Sequence, residues 1–209
     1  MFIAFGSADR RPAGFLRAPL KVAAALCGLV CVAWLAATPA PAQQQTDPAV
    51  KFMAQVGREL MAAARTRSPS VISSVFQRYA DVSYIGMYSL GNYRSLLPAS
   101  ERSNYLSGMV KFIGRYAATE SQKYPVTKVE WSDESIPGAN GIMVDSRITL
   151  ANGSSYDVRW LVARYGKSYR VRDAMVGPIW VTPLLKNLFE DYIAQNGGHP
   201  KALVAVLNR

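Results

Sequence analysis

From Pro48 to Tyr124 apolar side chains recur every three or four positions, from Val129 to Asp173 every second position, and beyond Gly177 the longer period returns. The first period predicts helices. Asp47-Pro48 reads as an N-cap followed by proline at the first helical position. Val50, Met53, Gly57, Leu60, Met61 and Ala64 then trace an amphipathic helix ending near Thr66. Ser68-Pro69 repeats the start signal for a second helix carrying Ile72, Val75, Phe76 and Tyr79 on one face. Asp81 caps a short third helix from Val82 to Leu90, closed by Gly91. Pro98 opens the longest helical pattern, which runs to about Tyr124 and stops at Pro125. Its apolar positions cover more than half the circumference, a wider stripe than a surface helix shows. This helix is flanked on both sides or lines a hollow.

The alternating stretch predicts four strands. Val129 and Trp131 form the first, and Ile142, Val144, Ser146, Ile148 and Leu150 the second, after a loop from Pro137 to Gly141. Asn152-Gly153 fits a type I′ hairpin turn, where both central residues need positive φ. Tyr156, Val158, Trp160 and Val162 continue on the third strand, and Tyr169, Val171 and Asp173 on the fourth, after a turn at Gly166-Lys167. Pro183 starts a further helix with Leu184, Leu185, Leu188, Phe189, Tyr192 and Ile193, and a short last one follows His199-Pro200. Helices, strands, then helices predict an α+β fold: an antiparallel four-stranded meander packed on one face by N- and C-terminal helices.

The first 42 residues follow a different logic. Arg10, Arg11, Arg17 and Lys21 precede an apolar run of 14 residues, Val22 to Leu35, and Ala40 and Ala42 then form an A-x-A site. This is the pattern of a secretory signal peptide cleaved before Gln43, and the run is shorter than the roughly 20 residues of a spanning helix. Residues 1–42 are therefore expected to be removed, leaving residues 43–209 as one domain exported to the periplasm. Removing them takes away Asp9 and the four basic residues and lowers the net charge from +10 to +7. It also removes Cys27 and Cys31, the only cysteines. The remaining chain can build neither a disulfide framework nor a thiolate metal site. Its basic residues are scattered rather than clustered, which speaks against nucleic acid as a partner.

Catalytic chemistry has little to stand on. His199 is the sole histidine and is placed beside Pro200 at a helix start. The acidic pairs Asp133/Glu134 and Glu190/Asp191 read as solvated surface, and no zinc pattern, P-loop or G-x-G-x-x-G occurs. Asp173 stands apart, because its strand phase points inward and a buried carboxylate needs a partner, with Arg147 or Arg159 as candidates. An enzyme of the isomerase or dehydratase kind would have to use Asp173. The apolar surface, in contrast, exceeds what simple closure of a core requires. It is filled as a core, or it walls a cleft between sheet and helices.

From Val75 onward the chain resembles the MlaC family, also called the toluene-tolerance family, of periplasmic phospholipid-binding proteins. The resemblance rests on Phe76 with Tyr79-Ala80-Asp81, on Leu90-Gly91-Asn92-Tyr93-Arg94, on the Tyr-rich helix ending Tyr124-Pro125, and on Tyr169-Arg170-Val171-Arg172-Asp173 before Val176-Gly177. It implies a carrier with no cofactor that takes phospholipid acyl chains between sheet and helices. It also implies partners, an inner-membrane lipid ABC transporter complex and an outer-membrane lipoprotein complex. After the Val-Gly step this chain departs from the family with Pro178-Ile179-Trp180, which bears on the shape of the mouth. A hopanoid-associated branch of the family makes a polycyclic lipid a second ligand class. On the cleft reading the lipid-binding residues are Met109, Phe112, Ile113, Tyr116, Val144, Ile148, Val158, Trp160, Val162, Val171, Ile179, Leu184, Leu188 and Tyr192. Each buried methylene is worth about 0.8 kcal/mol, so two long chains left in water would cost on the order of 20 kcal/mol.

Overall fold

The computed structural model describes residues 47–209; the expected signal segment, 1–42, lies outside them. Helix α1 spans Pro48–Thr66, α2 Pro69–Tyr79 and α3 Val82–Ser89. Each starts where its cap residue predicts. Asp47 accepts hydrogen bonds from the backbone N–H groups of Ala49 and Val50, Ser68 from Val71, and Asp81 from Tyr84. The second carboxylate oxygen of Asp47 also accepts from the backbone and hydroxyl of Ser135, which ties the start of α1 to the sheet. Beyond α3 the chain makes a 3-10 turn at Gly91–Leu96, a second at Ala99–Glu101, and then α4, Arg102–Lys123.

The long strands are β1 (Val126–Trp131), β3 (Gly141–Leu150), β4 (Ser155–Tyr165) and β5 (Ser168–Val176). Two short ones join them. β2 (Ile136–Gly138) pairs with the start of β3, and β6 (Ile179–Trp180) with the end of β5. The sheet is thus six-stranded and antiparallel, in the order β1-β3-β4-β5-β6 with β2 beside β3. Residues 137–141, expected as a loop, are a tight β2–β3 hairpin instead. Helices α5 (Val181–Gln195) and α6 (Lys201–Leu207) complete the chain.

The β3–β4 connection corrects one expectation. Leu150 and Ser154 close a three-residue loop in which Gly153 alone has positive φ, at 85°, while Asn152 does not. That is a type I turn followed by a left-handed glycine, the usual three-residue solution. The Asn152 side chain accepts from the Ser154 N–H at 3.0 Å, which holds the turn.

All the helices lie on one side of the sheet. The inner face is not covered uniformly. Ala49, Val50, Met53 and Val56 of α1 press on Val144 and Val162 to form one core. A second core joins α3, α4, α5 and α6 through Leu90, Tyr105, Met109, Phe189, Ile193 and Leu203. Inside it the Tyr105 hydroxyl donates to the Gly86 carbonyl at 2.8 Å, and burial holds that phenol well above its ordinary pKa. Between these two cores the layers separate.

Candidate lipid-binding cavity

Two apolar chambers occupy that separation. The first, of about 330 Å³, lies between the sheet and helices α1, α2, α4 and α5. From α1 come Val56 and Leu60, one helical turn apart, and from α2 come Val75, Phe76 and Tyr79. Helix α4 supplies Phe112, Ile113 and Tyr116, the sheet Trp160 and Val171, and α5 Val181, Leu184, Leu185 and Leu188. The rim is unusually greasy for a protein surface: Tyr116 is 61% exposed, Leu184 56% and Leu188 52%. The second chamber, of about 550 Å³, lies between the C-terminal halves of α1 and α4 and strands β1, β3 and β4. Met61, Ala64, Ile72, Val129, Trp131, Ile148 and Val158 line it, with Arg65, Arg67 and Gln122 toward its outer end. Hollows of about 720 and 820 Å³ elsewhere are more open and mix apolar walls with polar and charged side chains such as Asp81, Arg170, Asp145 and Arg159, which suits them less well to hydrocarbon.

Of the residues expected to meet lipid, Phe112, Ile113, Tyr116, Trp160, Val171, Leu184 and Leu188 line the first chamber, and Ile148 and Val158 the second. Met109, Val144 and Val162 do not reach either. They are fully buried in the two packed cores, because α3 and α6 cover one side of α4 and α1 covers the β3–β4 centre. Tyr192 packs against the helical core, and Ile179 on β6 is exposed away from both chambers. Sequence reasoning missed Val56, Leu60, Val75, Phe76 and Tyr79 as walls, although the apolar faces of α1 and α2 were legible.

The elements around the first chamber are held by polar clasps. At the α2–α3 junction Ala80 forms a parallel bridge with Val171, and the Asp81 N–H donates to the Val171 carbonyl at 2.8 Å. The Asp81 carboxylate accepts from the Tyr165 hydroxyl at 2.6 Å and from Nε of Arg172 at 3.0 Å. Arg172 also lies 4.5 Å from the centre of the Tyr84 ring. Burial alone would raise the Asp81 pKa, but the bonds from Tyr165, Arg172 and the Tyr84 N–H together hold it below the ordinary aspartate value. Two segments far apart in sequence, 79–81 and 169–173, therefore form one joint. A second joint ties α5 to the 3-10 turn. Glu190 accepts from the Asn92 N–H at 2.7 Å and pairs with Lys186, and these contacts lower its pKa. Gly91 has φ of 50° there, and a Cβ on it would meet that carboxylate. Glu190 is thus not the solvated surface residue expected.

Asp173 does not pair with an arginine. Arg147 binds Asp157 and Arg159 binds Asp145, both on the outer sheet face. Asp173 lies on the other side, in the lining of the first chamber, next to a bulge where β4 advances one residue from Leu161 to Val162 while β5 advances two, from Asp173 to Val171. Asp173 is turned to the start of α5, where its Oδ1 accepts from the Ala174 and Thr182 N–H groups, both at 2.8 Å. Trp180 at the N-cap of α5 makes no side-chain bond, so Asp173 satisfies an orphan N–H of that helix from outside. His199 is exposed and caps nothing through its side chain. Among the described residues no group of three His, Cys, Asp or Glu side chains could hold a metal ion.

This architecture has relatives. The model of the MlaC family, described as MlaC protein, matches residues 44–209. The chain belongs to the MlaC family. Among solved structures, the phospholipid-binding protein of Ralstonia solanacearum, determined in complex with a phospholipid, superposes with a TM-score of 0.63 at 18% identity. The alignment covers 77% of this chain and 94% of that one, and the two share the α+β MlaC fold. No curated protein sequence matches the chain. Three of the segments that carry the MlaC resemblance, Tyr79-Ala80-Asp81, Leu90 to Arg94 and Tyr169 to Asp173, meet in the two joints around the first chamber. Among the described residues no helix is long and apolar enough to cross a membrane.

Proposed function

We propose that the chain is a periplasmic carrier that holds phospholipid by its acyl chains in the cavity between sheet and helices. In this reading residues 1–42 are cleaved as a signal peptide, and residues 43–209 shuttle lipid between an outer-membrane lipoprotein complex and an inner-membrane transporter. The observation that carries the reading is a hollow walled almost wholly by carbon, opening at a rim of exposed Tyr116, Leu184 and Leu188. A hollow of this kind costs packing contacts that a filled core would keep, and an acyl chain restores them. The family match and the phospholipid held by the Ralstonia relative support the ligand class. The headgroup stays at the mouth in water, because burying it without partners is costly. Catalysis is no part of the reading, since the one inward carboxylate, Asp173, is engaged as a helix cap.

Native mass spectrometry of the purified protein tests this. Adduct masses of phospholipid that vanish on organic extraction are expected. Protein of identical mass before and after extraction would overturn the carrier reading. N-terminal sequencing that found Met1 in place of Gln43 would overturn the cleavage.

A further inference from the structure

The second chamber ends where three elements stop together. Helix α1 terminates at Thr66 and α4 at Lys123. The β3–β4 hairpin lies beside the α4–β1 junction, with the Ala151 N–H donating to the Pro125 carbonyl at 2.9 Å. Arg65, Arg67 and Tyr124 belong to the chamber lining here, and Tyr156 is the cross-strand neighbour of the lining residue Ile148. Both tyrosines reach solvent, Tyr124 at 57% exposure and Tyr156 at 47%. The charge at this end has one sign. Arg65 and Arg67 are exposed, and neither enters an ion pair among the described residues. Arg58 is exposed and unpaired in the same way. It shares one side of α1 with Arg65, because seven helical residues return to within about 20°. The acids in reach are already neutralised. Glu59, the only acid of α1, pairs with Arg78, Glu120 with Lys123 and Asp157 with Arg147.

A basic residue in the last turn of a helix ordinarily complements the helix dipole, and Arg65 alone would mean no more than that. Arg67 is different. It holds a left-handed conformation, φ 56° and ψ 14°, and is the only non-glycine residue with positive φ among those described. Glycine is the usual residue at such a helix end, since a Cβ is disfavoured there. A long cation is kept at the opening at a cost in stability. Guanidinium groups beside phenol rings around an apolar hollow make a surface suited to a bilayer. Tyrosine places its ring in the headgroup layer, and arginine lays its apolar stem along hydrocarbon while its charge meets phosphate. We infer that this end of the molecule docks on an anionic lipid bilayer, with Arg58, Arg65 and Arg67 on the phosphates and Tyr124 and Tyr156 in the interfacial layer. The second chamber then opens against the membrane and not into water. The docking goes beyond the carrier reading and does not depend on it, because every group it uses is exposed.

Flotation of the purified protein with vesicles tests this, using phosphatidylcholine alone or with phosphatidylglycerol as about a third of the lipid. Binding is expected to the anionic vesicles only, and to be lost near ~1 M salt, where screening shortens to about 3 Å. A cation near such a surface is worth roughly a fivefold change in partitioning, so Arg65→Gln with Arg67→Gly should weaken binding about 30-fold. Arg67→Gly alone should weaken it about fivefold while raising the unfolding midpoint, since glycine accepts the left-handed conformation. Weaker docking by that variant is then separate from any damage to the fold. Lys167→Gln is the control. It removes the same charge from the exposed β4–β5 turn, at the far end of the 11-residue strand β4. That is roughly 35 Å away, several screening lengths, and binding should stay within about twofold. Equal losses from Lys167→Gln and Arg67→Gly would mean that net charge alone attracts the protein, and would overturn the docking surface. A wild type that does not float with anionic vesicles at low salt would overturn it as well. If that protein bound polyglutamate and the double variant did not, the surface would belong to an acidic protein instead. A wild type that floats with anionic vesicles yet carries no lipid would overturn the carrier reading and leave the docking intact.

Discussion

Two halves of one sheet face carry the same alternation of apolar residues and end in different states. Val144 and Val162 are closed under α1, with Met53 fully buried against them. One step along the same inner face of β4, Trp160 and Val158 front open space. The strand sequence does not distinguish the halves; the facing helices do. Over Val144 and Val162, α1 supplies Ala49, Val50, Met53 and Val56 at contact distance. Past Leu60, α1 leaves the sheet for a separate core with α2 and α4, built from Ala63, Ile72, Val75 and Ala118, and the sheet beneath is left facing a gap. An apolar in-facing side chain thus becomes core or cavity wall according to what stands opposite it.

The sharpest way to break this contrast is truncation on each side of it. Met53→Ala removes a buried side chain from the closed half and should cost ~2–5 kcal/mol, seen as a large drop in the denaturant midpoint. The folded fraction should still carry lipid. A drop below about 1 kcal/mol would mean that the α1 half is no better packed than the hollow half.

A smaller effect is expected at the joint that closes the hollow half. Asp81 caps α3 and holds Arg172, so Asp81→Ala should cost ~1–2 kcal/mol. Because the pKa of Asp81 is depressed in the folded state, its contribution is complete above the ordinary aspartate value near ~4. It is lost as the pH falls from there through the lowered value. Asp47, Asp145 and Glu190 are depressed as well, so the wild type loses stability in acid through several groups. Asp81→Asn should be less stable than the wild type at neutral pH and fall less steeply below pH ~4 in thermal unfolding. Parallel curves for the two proteins would remove Asp81 from the clasp.

The smallest effect on stability is expected at the rim. Leu188 is half exposed and has little packing to lose, so Leu188→Ala should leave the unfolding midpoint within ~0.5 kcal/mol of the wild type. Lipid retained through gel filtration should nevertheless fall. If stability dropped and lipid did not, the rim would be core in disguise.

The first three helices were legible because their starts are written locally, whereas α4 and α5, which have no side-chain cap, start at Arg102 and Val181 and not at Pro98 and Pro183. Asp47-Pro48, Ser68-Pro69 and Asp81 cap within three residues, and the strands alternate cleanly. β2 and β6 were not legible, since three-residue and two-residue strands leave no period to read. Asp173 faces inward as its strand phase predicts, but its partners, the Ala174 and Thr182 N–H groups, were hidden for a related reason. A bulge at Arg172 resets the phase of β5, and nothing in Tyr169-Arg170-Val171-Arg172-Asp173 announces an extra residue. Nine of the fourteen expected residues line the chambers, all of them on α4, α5 and the sheet. The walls from α1 and α2 were missed because Leu60 and Tyr79 have the spacing of ordinary core residues, and only the packing of the helices on one another decides that they face a gap.

The most direct test of the division into closed and hollow halves is photo-crosslinking with a phospholipid that carries a diazirine at the end of an acyl chain. Adducts mapped by peptide mass spectrometry are expected on chamber residues such as Phe112, Ile113, Leu185 or Ile148. Adducts confined to Met53, Val144 and Val162, or to the outer sheet face at Met143 and Leu161, would contradict the account.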